Sequence, residues 1–141
     1  MKYFWDTSAA INAAVSPTIY DRLKADDHVA RLHLFLEFFS TMTGRGVPGK
    51  DANGNPVVVT FDANDAARWL RDFAAKVQLV DLDGPETLAE LDKAQARNVQ
   101  GARVYDYAHA LAAIKSGADV VLTRNTKHFS GITGNARVEW P

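Results

Sequence analysis

The stretch Lys2-Tyr3-Phe4-Trp5-Asp6-Thr7-Ser8 constrains this chain most, because a short apolar run stops abruptly at a carboxylate and two hydroxyls. Three aromatics bounded by polar residues are too few for a helix and suit a strand buried in the middle of a sheet. An unpaired acid is costly to bury, so Asp6 is expected at the carboxyl end of that strand, the edge at which open α/β sheets take their ligands. The same three polar residues are also good caps for a short helix over Ala9 to Ala14. On this stretch alone the cap and the catalyst weigh equally.

Composition narrows the class. Nearly half of the 141 residues are hydrophobic, enough for one domain over 1–141 with its own core and no second domain. Sixteen Lys and Arg against 17 Asp and Glu leave a formal charge of −1, so any phosphate-binding surface has to be local. The absence of cysteine excludes disulfides and thiolate metal sites and fits a reducing cytoplasm. Asp6 and Asn12 interrupt any signal-peptide core, and no later segment has the apolar length of a bilayer span, so a soluble protein is expected.

Along the chain, Ser16-Pro17 marks a break before a second polar segment from Tyr20 to Lys24. Asp26 or Asp27 is expected to cap a helix whose stripe Val29, Leu32, Leu36 and Phe39 faces the core, with Glu37 one position beyond it. Four glycines, two prolines, two asparagines and an Asp between Gly44 and Pro56 indicate a long surface loop with a turn at Asn53-Gly54. Val57 to Phe61 suits a short strand, a lid or an edge hairpin. Asp62 caps a helix carrying Ala66, Trp69, Leu70 and Phe73. A strand over Val77 to Leu82 precedes a helix that opens at Pro85 and carries Leu88, Leu91 and Ala94. A further helix runs from about Val104 to Lys115, ending at Gly117. Val120 to Thr123 is a strand, Arg124 to Phe129 a polar loop, and Ala136 to Trp140 a last strand. Strands separated by helical patterns predict an α/β fold: a mainly parallel sheet of four to five strands with helices on both faces, three layers in all.

In such a sheet Asp6 and Thr123-Arg124-Asn125 lie where strands end and loops begin, and Asp106 lies in the first turn of a helix that starts at the same edge. If Glu37 projects there, Asp6, Glu37 and Asp106 form a cluster of carboxylates whose mutual repulsion a hard cation relieves. Mg²⁺ or Mn²⁺ suits oxygen donors, whereas zinc is disfavoured by the lack of Cys and by four scattered His, at 28, 33, 109 and 128.

Asp6-Thr7-Ser8, the helical Glu37, Val104-Tyr105-Asp106-Tyr107-Ala108-His109-Ala110, and Gly117-Ala118-Asp119-Val120-Val121-Leu122-Thr123-Arg124-Asn125 with Phe129 together resemble the PIN domain. Within it they are most similar to the VapC toxins of bacterial toxin–antitoxin pairs. The likeness runs over nearly the whole chain in order and spacing, and its two carboxy-terminal blocks are the specific part. It implies a PIN-like fold and a metal-dependent ribonuclease in which Asp6 and Asp106 are the chief Mg²⁺ ligands and Glu37 completes the acidic site. The family often has a fourth acid where this chain has Asn125, which leaves a second metal in question, although the amide could still ligate through its carbonyl oxygen or orient a metal-bound water in the catalytic site. The resemblance also implies a homodimer and a small cognate antitoxin that blocks the acidic site.

With such a metal, hydrolysis of RNA needs only an activated water and no protein nucleophile. Glu37 is then expected to hold or deprotonate that water, and Thr7 and Thr123 to fix Asp6 or the substrate by hydrogen bonds. Blander readings stand beside these. Asp106 suits a helix amino terminus by its charge alone. His109, three residues on, is expected to pack or support, Asp119 belongs to a turn, and Arg124, Lys127 and His128 either meet RNA phosphates or are simply solvated. The rival function is a catalytically silent PIN-fold module that binds RNA or protein. A phosphate-handling α/β protein is disfavoured by the lack of a Gly-rich loop after Asp6.

Overall fold

The structure, a computed structural model, describes residues 1–141. Its central sheet contains β1 (Lys2–Trp5), β2 (Asp27–Ala30), β5 (Gln78–Leu79), β6 (Val120–Leu122) and β7 (Arg137–Glu139). The order is β5-β2-β1-β6-β7 and every neighbouring pair is parallel, as the alternation of strand and helix patterns predicts. The aromatic run lies in the middle strand.

Side chains alternate across the sheet and divide the core in two. Trp5, Ala30, Val120 and Leu122 pack under α1 (Thr7–Val15), α3 (Leu32–Thr43) and α4 (Ala63–Ala74), and Phe4, Val29 and Val121 pack under α6 (Arg103–Ser116) and α7 (Thr126–Phe129). The result is a three-layer α/β/α arrangement. Trp5 is fully buried, edge-on to Phe73 at 5.8 Å, and its Nε1 donates to His28 Nδ1 at 3.0 Å. Removing that ring would cost about 3–5 kcal/mol, so the strand that delivers Asp6 is firmly anchored.

Strand order reverses at β1. The chain builds β2 and β5 on one side of it and then crosses to lay β6 and β7 on the other. Such a reversal leaves a crevice at the carboxyl ends of the two adjacent strands, here β1 and β6.

Several expectations are corrected. Val29 belongs to strand β2 rather than to a helix capped by Asp26 or Asp27, and α3 begins only at Leu32. Its buried stripe is Leu34, Phe38 and Met42, so Leu32, Leu36 and Phe39 are exposed, Leu36 by 70%. The two stripes have the same period, and the strand before the helix decides which one turns inward. The 44–56 segment is no structureless loop: β3 (Val47–Lys50) and β4 (Pro56–Val59) pair as an antiparallel hairpin. Its turn carries Gly54 at φ 79°, a left-handed conformation glycine adopts at little cost.

The strand expected over Val77 to Leu82 shrinks to β5. The break after α1 contains α2 (Pro17–Tyr20) and a 3₁₀ turn over Asp21–Lys24. The helix at Pro85 is α5 (Gly84–Leu91), capped by Asp83, with Leu88 and Leu91 facing out. Part of the polar loop after β6 winds into α7, which buries Phe129. No helix is long and apolar enough to cross a membrane.

Candidate functional site

Asp6 leaves β1 in an extended conformation, and its N–H donates to Leu122 O at 3.0 Å, continuing the β1–β6 ladder by one residue. It occupies the N-cap position of α1, yet its side chain makes no capping bond, and neither Thr7 nor Ser8 takes that role. Asp6 Oδ2 instead accepts from Ser8 Oγ and from Thr123 Oγ1, each at 2.8 Å. Ser8 Oγ in turn accepts the Arg124 N–H at 2.9 Å, and Thr123 Oγ1 accepts the Asn125 N–H at 3.0 Å. Two hydroxyls thus tie the turns after β1 and β6 to one carboxylate oxygen. Asp6 is only 4% exposed, and Oδ1 accepts no hydrogen bond, with His109 Nε2 3.8 Å away.

Asp106, in the first turn of α6, reaches the same place from the other layer. Its pKa is raised, first by burial and then by the charge of Asp6, against the pull of His128, His109 and Arg103. The charge of Asp6 thus acts on Asp106, as a like charge in a common site must. His128 Nδ1 lies 3.3 Å from Asp106 Oδ2.

Glu37 comes from α3. Its Oε1 lies 3.1 Å from His109 Nε2 and 3.2 Å from His33 Nε2, one helical turn away. Burial alone would raise the Glu37 pKa, but His109, His33 and the Thr7 hydroxyl together hold it below the usual value. The Thr7 contact is loose, since Thr7 Oγ1 is buried without a properly formed hydrogen bond. His109, 2% exposed, joins the two acids, with Nε2 also 3.8 Å from Asp6 Oδ1, while its Nδ1 is buried without a partner. His33 stacks flat on Tyr105 at 5.8 Å.

The residues singled out in the sequence thus fall into distinct roles. Asp6, Thr123 and the Arg124 backbone form one bonded group, with Asp106 electrostatically coupled to it. Glu37 joins through His109. Asn125 is exposed, stands at the start of α7, and bonds through its backbone only. The Arg124 guanidinium lies over the Trp140 ring. Asp119 is at the opposite edge of the sheet, where its carboxylate accepts the Lys2 N–H at 2.8 Å.

What the sequence conceals is the meeting of the histidines, of which only His109 was expected to pack or support. Three of the four, His33, His109 and His128, converge on the acids although they stand far apart in the chain. The four-residue spacing of His33 and Glu37 on one helix was the visible signal.

No three His, Asp or Glu side chains are placed to hold a metal ion together. The Asp6–Asp106 pair still fits a hard divalent cation, because Mg²⁺ commonly takes one or two carboxylates and keeps several waters. Burial is the first cause of the raised Asp106 pKa, and the Asp6 charge, the second, is the part that such an ion would relieve. Glu37, already engaged by two histidines, stands outside that pair. No family model matches the chain, and no curated protein matches it.

Proposed function

We propose that this chain is a Mg²⁺-dependent endoribonuclease of the PIN type, the toxin of a toxin–antitoxin pair acting in the cytoplasm. The observation that carries the reading is the meeting of Asp6 and Asp106 at the crevice between β1 and β6, with Asp6 locked from behind by Ser8 and Thr123. Asp6 and Asp106 would hold Mg²⁺, or Mn²⁺ in its place. The bound ion would supply charge to the phosphodiester oxygens and acidify the attacking water.

The chain's own residues do the rest. Ser8 and Thr123 donate to Oδ2 and hold the carboxylate in place, which leaves Oδ1 without a hydrogen bond and would let it serve as the ligand atom. Glu37, kept ionised by its two histidines, can accept a proton at the oxygen they do not engage. Arg124, Lys127 and His128 line the same edge and would meet RNA phosphates. The resemblance adds a homodimer and a cognate antitoxin that would set a basic side chain among the acids.

The test is cleavage of single-stranded RNA with and without Mg²⁺ or Mn²⁺. Metal-dependent cutting that disappears in Asp6→Asn and Asp106→Asn is expected, and equal rates in parent and variants would refute the site. A second reading, a catalytically silent module that binds RNA or protein, is favoured by Asn125 and by the engagement of Glu37 with His33 and His109. RNA binding without cleavage at any metal concentration would select it.

A further inference from the structure

Of the three tryptophans, two serve the core. Trp5 is fully buried, and Trp69, half-buried, stacks on Phe38 at 4.6 Å and on Phe73 at 5.2 Å. Trp140 is 56% exposed, packs against no other aromatic ring, and has the Arg124 guanidinium 5.2 Å above its centroid. An exposed indole exchanges no apolar burial for its position, so packing does not explain it.

Its place in the fold does suggest a use. Trp5, Leu122 and Glu139 are in register across β1, β6 and β7, so the next residues, Asp6, Thr123 and Trp140, stand in a row along the carboxyl edge of the sheet. Two strand spacings amount to about 10 Å. Arg124 joins the ends of that row. Its backbone N–H bonds to Ser8, which bonds to Asp6, and its guanidinium covers one face of Trp140. Lys127 follows in α7. An aromatic face for a base with cations beside it for the backbone is one way in which proteins hold single-stranded nucleic acid, and here Trp140 offers the face, Arg124 and Lys127 the cations.

We infer that Trp140 and Arg124 form a stacking platform for one nucleobase of single-stranded RNA, next to the phosphate presented to Asp6 and Asp106. This rests on the ribonuclease reading for the identity of the nucleic acid. The base lies on the open face of the indole, Arg124 stays on the other, and Arg124 and Lys127 meet the flanking phosphates. Stacking recognises any base, so the platform orients the strand rather than reading its sequence.

The test uses the whole chain without metal, titrated with a short single-stranded RNA while tryptophan emission is followed. Trp5 is fully buried, Trp69 is half-buried under Phe38 and Phe73, and Trp140 is the most exposed of the three, so quenching is expected from Trp140, and Trp140→Phe should abolish the quench while binding is largely kept. Trp140→Ala should weaken binding about tenfold or more. An abasic substitution at one position of the RNA should weaken the parent equally and cost Trp140→Ala nothing further, a coupling that a merely structural role of Trp140 would not produce. Quenching retained in Trp140→Phe, equal affinity in Trp140→Ala, or no RNA binding by the parent overturns the platform. If Trp140→Ala binds and cuts like the parent, the platform falls and the ribonuclease reading stands. If the parent binds RNA through Trp140 but never cuts it with Mg²⁺ or Mn²⁺, the ribonuclease reading falls and the platform stands.

Discussion

Three aspartates of this chain stand immediately before helices in extended backbone, and only two of them cap. Asp62 accepts the Asp65 N–H, and Asp83 accepts the Glu86 N–H and completes a capping box, each at 2.8 Å and exposed to solvent. Asp6 has the same backbone setting, but its carboxylate caps no helix N–H, is buried, and accepts from the hydroxyls of Ser8 and of Thr123, just past β6. A carboxylate that forgoes the cap and accepts burial beside another acid carries a cost that helix formation does not explain. Asp62 and Asp83 serve the fold. Asp6 is arranged for something else.

Substitution is the sharpest way to break this contrast. Asp6→Asn should reduce metal-dependent RNA cleavage by more than roughly 100-fold, above what the loss of a supporting partner costs. Its Tm should be unchanged or higher, because the amide oxygen still accepts from Ser8 and Thr123 and the repulsion of Asp106 is gone. Thr123→Val removes one of the two bonds that aim Asp6 and should lower cleavage by roughly 10- to 100-fold. Asp83→Ala should do the reverse of both, losing about 1 kcal/mol of stability in denaturant unfolding and leaving cleavage alone. An Asp83→Ala variant as inactive as Asp6→Asn would erase the distinction.

The smallest expected effects are in acid. Burial and Asp6 make folded Asp106 hold its proton more tightly than the unfolded chain does, so its contribution to stability falls as pH rises from 3.8 through the raised folded value. Glu37 runs the other way: its contribution is complete above 4.5 and is lost as pH falls through its lowered folded value. Thermal melts across the acid range should therefore separate Asp106→Asn, which removes the first slope, from Glu37→Gln, which removes the second.

Where the sequence was legible, local chemistry and tertiary packing agreed. Asp62 and the α4 stripe, Gly117 at φ 68° after α6, and the central aromatic strand were all visible in composition and period. Disagreement arose where an element was too short to announce itself. In β2 four residues continue a helical spacing, and only pairing with β1 reveals Val29 as a strand residue. The turn at Asn53-Gly54 and the second strand of the hairpin were among the readings, but its first strand hid behind Gly44, Gly46, Gly49 and Pro48, which break periodicity without preventing a two-stranded ladder.

At the candidate site, Asp6 stood out in the sequence because a carboxylate at the end of an apolar strand is locally improbable. The histidines did not, because His128 meets Asp106 and His109 meets Glu37 only through the crossing of layers. Trp140 escaped notice as the end of an ordinary strand, since exposure and the overlying Arg124 are properties of the folded edge alone.

The central claim, that Asp6 and Asp106 make a divalent-cation site and Asp83 does not, is tested most directly by titrating Mn²⁺ into parent, Asp6→Asn, Asp106→Asn and Asp83→Ala proteins and following free ion by electron paramagnetic resonance. One site is expected in the parent and in Asp83→Ala, lost in both site variants. Equal Mn²⁺ uptake by all four proteins, or none by the parent, would contradict the account.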